Sequence, residues 1–106
     1  MAVNLNAGTF DQFLREHSVV LADFYKDGCV ACRRIAPLLT QTEAAWAGRA
    51  EVARVNLSGS PEIAGQYAIQ ATPTLILFRE GLEIARHRGV ISKDELDAFL
   101  EEAFTE

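Results

Sequence analysis

The sequence predicts an α/β fold, a central mixed five-stranded sheet flanked by four helices, and three observations carry that reading. Short β-branched segments alternate with segments of helical period through most of the chain, the pattern of strands joined by helical crossovers in a partly parallel sheet. One segment, SVVLADFY, is apolar with almost no polar alternation, as a central strand covered on both faces should be. Later, two strand-like segments are separated only by the turn REG, which adds an antiparallel pair.

The elements follow in order. VNLN opens as a short strand, and Thr9 then precedes FDQFLREH, with Gln12 three residues on as in a capping box. Phe10, Phe13 and Leu14 supply that helix with an apolar face. After SVVLADFY, the residues Ile35, Leu38, Leu39 and Trp46 recur at helical spacing from Val30 to Ala47, and Gly48 suits a C-terminal cap. Pro37 is expected to kink this helix, because it removes one hydrogen bond and crowds the preceding turn. EVARVNL reads as a strand. Ser60 and Pro61 form a cap and first-turn proline for a short helix bearing Ile63, Ala64 and Tyr67. TPTLILF is a strand with Pro73 at its first position, where no ladder donor is lost. REG joins it to LEIARHR. Ser92, with Glu95 three residues later, caps a final helix whose inner face is Leu96, Phe99 and Leu100. The order is β-α-β-α-β-α-β-β-α.

Composition limits the function. A chain of 106 residues, 49% hydrophobic and 24% charged, is the size of one domain with its own core, and 1–106 is expected to form a single domain. A formal net charge of −5 argues against nucleic acid, whose partners concentrate Lys and Arg on one face. No apolar run reaches the length of a membrane span, and MAVNLNAGTF has neither a basic n-region nor an apolar h-region. A soluble cytoplasmic protein that engages neither membrane nor nucleic acid is therefore expected, with proteins or small molecules as partners. Two cysteines are too few for a disulfide-stapled scaffold, and in a reducing compartment their close spacing points to chemistry.

Those cysteines lie in DGCVACRRIAP, three residues apart at the start of a predicted helix. As residues alone, they are open to three readings: a redox couple, half of a metal site, or two buried thiols. A zinc site needs about four ligands, and His17 and His87 have no ligand spacing to the pair, so no metal is expected. Asp23 is the anomaly of the central strand. A carboxylate among apolar neighbours is costly unless partnered or neutral, so either its pKa rises or it lies near the strand end and is solvated.

With LADFY, DGCVACRRIAP, VARVNL, ATPTLILFREG and RGV occurring in order and at matching separations, the chain resembles the thioredoxin family. The resemblance covers about Val19 to Phe104 in detail and the preceding residues more loosely. It implies a thioredoxin fold and a thiol–disulfide oxidoreductase that reduces protein disulfides through Cys29 and Cys32. A separate reductase restores the dithiol, no bound cofactor is needed, and a monomer is expected. It places Asp23 behind the resolving cysteine as its proton relay and matches Arg54 to a family lysine beside that acid. It matches Thr72 and Pro73 to a cis-proline loop facing the cysteines, where an extended partner can pair as an added strand. Gly89 matches a glycine that admits a partner's backbone, although an ordinary turn glycine would also fit.

Physical chemistry assigns roles to the two thiols. Residues three apart on a helix have Cβ atoms about 5–6 Å apart, whereas a disulfide needs about 3.8 Å. A cysteine at the looser N-terminal end lets the bond close without breaking the helix. Free N–H groups and the helix dipole there favour a thiolate, lowering a Cys pKa from about 8.5 into a range of roughly 3.5–7.5. Cys29 is thus the expected nucleophile and Cys32, one turn in, the resolving thiol.

Departures from the family pattern carry information too. The place before the first cysteine, commonly tryptophan, holds Gly28, and the usual Gly-Pro pair is Val30-Ala31. Tyr25 replaces a further tryptophan. The docking surface expected from Thr72, Pro73, Gly89, Gly28, Val30 and Ala31 therefore lacks an aromatic anchor. Weaker recognition by an NADPH-dependent flavin reductase follows, with a ferredoxin- or flavin-linked donor as the alternative. Arg54 keeps its charge where a lysine can lose it, and is expected to hold Asp23 ionised. Arg33, Arg34 and Lys26 place positive charge near the helix N-terminus, against the macrodipole, either to stabilise the thiolate and attract acidic partners or as plain solvated side chains. Two other functions share the fold: a docking module without turnover, and a disulfide oxidase or isomerase.

Overall fold

In a computed structural model describing residues 2–105, the elements follow the predicted order. They are β1 (Val3–Leu5), α1 (Phe10–Glu16), β2 (Val19–Tyr25), α2 (Val30–Ala45), β3 (Glu51–Asn56), α3 (Pro61–Gln66), β4 (Thr74–Arg79), β5 (Leu82–Arg88) and α4 (Lys93–Glu101), with a closing 3₁₀ turn at Glu102–Phe104. The sheet order is β1-β3-β2-β4-β5. β1, β3 and β2 run parallel, whereas β4 pairs antiparallel with both β2 and β5.

The two-residue period of the strands divides the core. Val20, Ala22 and Phe24 of β2 face α1 and α3, packing with Phe10, Leu14, Ile63 and Phe78. Phe10 meets Phe24, Phe78 and Tyr67 edge-on at 5.4–5.7 Å. Val19 and Leu21 face the other way, onto Ile35, Leu39, Leu96, Phe99 and Leu100 of α2 and α4. Alternation therefore sends Asp23 to the α2 side of the sheet. On β3, Val52 faces that side, so Arg54, two residues on, does too, directly beside Asp23 in the parallel register.

Local signals held unevenly. The Ser92–Glu95 capping box is complete, with Ser92 Oγ accepting from Glu95 N–H at 3.1 Å and Glu95 Oε1 from Ser92 N–H at 2.9 Å. The box read at Thr9 and Gln12 does not form. Thr9 Oγ1 instead accepts from Asn6 N–H in a turn, and Gln12 Nε2 donates to Glu16. Ser60 occupies the N-cap of α3, but its hydroxyl accepts from Ala7 N–H, tying the loop after β1 to the helix. Thr9 is thus claimed by the turn just before the helix, three residues away, and Ser60 by a donor that the tertiary fold brings from 53 residues away. α2 ends at Ala45, two residues before the predicted boundary, and continues through Pro37, whose missing donor leaves it a single helix. Pro73 immediately precedes β4 instead of opening it.

Candidate active site

α2 begins at the cysteine loop. Cys29 is its N-cap, in extended backbone geometry, and its sulfur stands where a cap oxygen would: the Cys32 N–H donates to Cys29 Sγ at 3.1 Å. The two cysteines are joined as a disulfide with Cα atoms 5.2 Å apart. Cys29 is half-buried, whereas Cys32 is 2% exposed and belongs to the inward face of α2 with Ile35 and Leu39. Among the first-turn residues of α2 none is acidic, so the dipole and free N–H groups meet no competing negative charge there.

The loop before the cysteines is pinned by a network that the sequence did not announce. Asn56 Nδ2 donates to Asp27 Oδ1 at 3.0 Å, Ser58 Oγ accepts from Asp27 N–H at 3.2 Å, and Leu57 N–H donates to the Tyr25 carbonyl at 2.8 Å. The register Tyr25↔Asn56 brings these segments together. Gly28 then turns the chain with φ +75°, a conformation that favours glycine, and a Cβ there would meet nothing within 4 Å.

Opposite Cys29 stands the Thr72–Pro73 peptide, which is cis. Cys29 Sγ lies 3.7 Å from the Thr72 carbonyl oxygen and 3.5 Å from its hydroxyl, which donates toward the sulfur. Gly89 joins the loop by donating its N–H to the Pro73 carbonyl at 2.8 Å, with φ +87°. That backbone geometry accounts for glycine at 89 as a turn residue, since a Cβ there meets no other part of this chain. Val30 on the first turn is 58% exposed, Gly28 is exposed and Ala31 half-buried. The sequence motif marks Thr72 as part of a docking loop but gives no sign that its hydroxyl reaches the sulfur.

Asp23 is 0% exposed, so the solvated alternative is excluded. Burial pushes its carboxyl up from 3.8 to about 6, against the charge and hydrogen bond of Arg54, which pull the other way. Arg54 Nε donates to Asp23 Oδ2 at 3.0 Å. Arg54 therefore tempers the rise without cancelling it. At about 6 the carboxyl is ionised at neutral pH, yet takes up a proton more readily than a solvated aspartate does. Arg54 in turn lines a cleft of about 230 Å³ with Tyr25, Lys26, Asp27, Gly28, Cys32, Arg33 and Ala36, so the side chain that holds Asp23 and the buried cysteine share one opening. Arg34 is exposed and does not line this cleft. Among the described residues, no group of three or more His, Cys, Asp or Glu side chains is arranged for a metal ion, and no helix is long and apolar enough to cross a membrane.

A bonded cysteine pair at a helix N-terminus, faced by a cis-proline loop, can pass two electrons by thiol–disulfide exchange. Comparison with known proteins agrees. Residues 1–102 match the Thioredoxin family model. A thioredoxin of Acidithiobacillus ferridurans is 40% identical over 88 residues, covering 83% of this chain and 82% of its own. A thioredoxin of Pseudomonas aeruginosa is 32% identical over 100 residues, 93% of each chain. Among solved structures, a mutant thioredoxin from Halobacterium salinarum NRC-1 superposes with a TM-score of 0.87 at 27% identity, spanning 99% of this chain and 92% of that one. The chain belongs to the thioredoxin family, and it is a thiol–disulfide oxidoreductase that reduces protein disulfides by dithiol–disulfide exchange and is itself restored by a reductase.

Proposed function

We propose that Cys29 is the attacking thiolate, Cys32 the resolving thiol and Asp23 the acceptor of the Cys32 proton. In the reduced protein, Cys29 attacks one sulfur of a substrate disulfide, forming a mixed disulfide and expelling the first substrate thiolate. Cys32 gives its proton toward Asp23 and attacks Cys29 Sγ, expelling the second substrate thiolate and leaving the Cys29–Cys32 disulfide. Two electrons have passed to the substrate, and a reductase returns two to the pair. The observation that carries this reading is the contrast between the sulfurs: Cys29 at the N-cap, half-buried and accepting a backbone N–H, and Cys32 almost wholly enclosed. Brief alkylation of the reduced protein with iodoacetamide is therefore expected to label Cys29 ahead of Cys32, as read by peptide mass spectrometry. Preferential labelling of Cys32 would reverse the roles.

The substrate segment is read as docking on Thr72, Pro73 and Gly89 opposite Gly28, Val30 and Ala31, pairing by backbone with little demand on sequence. Residues 1–106 act as one domain and as a monomer in the cytoplasm. Gly28 is the feature that bears on the electron donor. A tryptophan there would supply an aromatic anchor of the kind whose truncation costs about 2 kcal/mol or more at an interface. Its absence corresponds to a loss of recognition by a factor on the order of 30. The protein is accordingly read as a poor substrate for a conventional NADPH-dependent flavin reductase and as served by a ferredoxin- or flavin-linked donor.

Gly28→Trp is expected to improve reduction by the NADPH-dependent enzyme while leaving reduction by dithiothreitol little changed. The positive φ at this position sets a cost of roughly 1–2 kcal/mol on any side chain, so the unfolding midpoint of the variant is measured alongside. Efficient reduction of the wild type by that enzyme, with no gain from a folded Gly28→Trp, contradicts the reading.

A further inference from the structure

Asp23 has two carboxylate oxygens, and they differ. Oδ2 accepts from Arg54 Nε, while Oδ1 is buried without a hydrogen-bond partner among the described residues. The guanidinium making that single bond lies over the ring of Tyr25, 4.1 Å from its centroid. Strand alternation explains the arrangement: Asp23 and Tyr25 are two apart on β2 and face the same side, and Arg54 sits beside them on β3.

Arg54 also divides the surface here. It lines the 230 Å³ cleft that Cys32 shares, and with Ala36 it lines a second cleft of about 170 Å³ formed by Ala2, Asn4, Leu39 and Thr40. Asp23 lines neither. The guanidinium thus stands between the buried carboxylate and both openings.

A guanidinium is always charged and carries five donors, so where it points decides what it does to a neighbouring acid. Turned to present its fork, it would occupy both oxygens; swung into solvent, it would leave the carboxylate uncompensated. The side chain is 24% exposed, so the outward path is open. Between these extremes it lies against the Tyr25 ring face, which attracts a cation.

We propose that Tyr25 is a positioning residue for disulfide exchange, acting through Arg54: its ring fixes the guanidinium on Oδ2 alone and leaves Oδ1 as the oxygen that takes the proton. This rests on the reading of Asp23 as the proton acceptor. Among the described residues, Arg54 on β3 is the charge that acts on Asp23, and β4 places the apolar Leu75 beside it in register. Tyr25, Lys26 and Asp27 from the end of β2 and the segment after it, and Cys32 and Arg33 from α2, line the cleft that Arg54 shares.

The test follows the Asp23 carboxyl carbon by NMR through a pH titration of the reduced protein, together with the pH dependence of single-turnover disulfide reduction. Removing the cation in Arg54→Met is expected to raise the Asp23 midpoint by roughly 1–3 pH units, the span an adjacent opposite charge supplies. Tyr25→Leu, which frees Arg54 to swing outward, is expected to raise it by roughly half a unit, with the turnover profile moving in step. Tyr25→Phe, which keeps the ring, restores the wild-type midpoint. A Tyr25→Leu protein with the wild-type Asp23 midpoint overturns the proposal, and so does a Tyr25→Phe protein that behaves like Tyr25→Leu. Should Arg54→Met fail to fold, the two Tyr25 variants decide alone. Failure of the underlying reading is separately visible, because then Asp23→Asn would leave the turnover profile unchanged whatever the NMR midpoints do.

Discussion

Cys29→Ser is expected to reduce insulin-disulfide reduction in the presence of dithiothreitol to the rate of dithiothreitol alone. A serine hydroxyl at the N-cap keeps the cap bond to the Cys32 N–H and hence the helix start, but it cannot form the mixed disulfide. Fold and activity are thereby separated: the variant retains its melting behaviour and loses its chemistry. Cys32→Ser is expected to fail differently. Its Cys29 still sits at the helix N-terminus and opposite Thr72, so the first bond forms, but no thiol remains to break it. Substrate accumulates on the protein instead of turning over.

The second large effect belongs to Asp23→Asn. Because burial raises the folded-state pKa from 3.8 to about 6, the folded protein holds a proton on Asp23 more tightly than the unfolded chain does. Below about pH 3.8 the acid is neutral in both states and costs nothing. As pH rises through the interval to about 6, the unfolded chain ionises first and stability is lost; above about 6 the loss is complete. A shift of this size corresponds to about 3 kcal/mol. Asn removes the titration while its carbonyl can still accept from Arg54 Nε, and the guanidinium remains partly solvated. The variant is therefore expected to gain up to about 3 kcal/mol at pH 7 and nothing below about pH 3.8, measured by denaturant unfolding at both pH values. An equal gain at both, or none at pH 7, contradicts the desolvation account. Release of substrate from the mixed disulfide is expected to slow by on the order of 10²-fold, since the resolving thiol loses its proton acceptor.

Much of this was legible in the sequence because the relevant signals are local or periodic. SVVLADFY announced a strand covered on both sides, and its alternation is what aims Asp23 at α2. The Ser92–Glu95 box needs only four consecutive residues, and it formed. The Thr9 cap failed because an equally local turn with Asn6 claimed the same hydroxyl, and the Ser60 cap because a distant N–H did, which no local window reports. At the site, two cysteines three apart and a proline at the edge of a strand were visible as motifs, though the proline precedes β4 by one residue instead of opening it. The balance between burial and Arg54 at Asp23 was not, since it depends on how completely α2 and the sheet exclude water. Nor was the stacking of Arg54 on Tyr25 or the Asn56–Asp27–Ser58 tie, both of which arise from the parallel register of β2 with β3. The register Asp23↔Arg54 and Tyr25↔Asn56, once known, would have shown both.

If Cys29 attacks and Cys32 resolves, the mixed disulfide can be trapped on one cysteine and not on the other. Reduced Cys32→Ser and Cys29→Ser proteins are each mixed with a disulfide substrate, quenched with acid, and weighed intact by mass spectrometry. A near-stoichiometric adduct is expected on Cys29 in the Cys32→Ser protein and none on the Cys29→Ser protein. An adduct on Cys32 in the Cys29→Ser protein, with none in the Cys32→Ser protein, would contradict it.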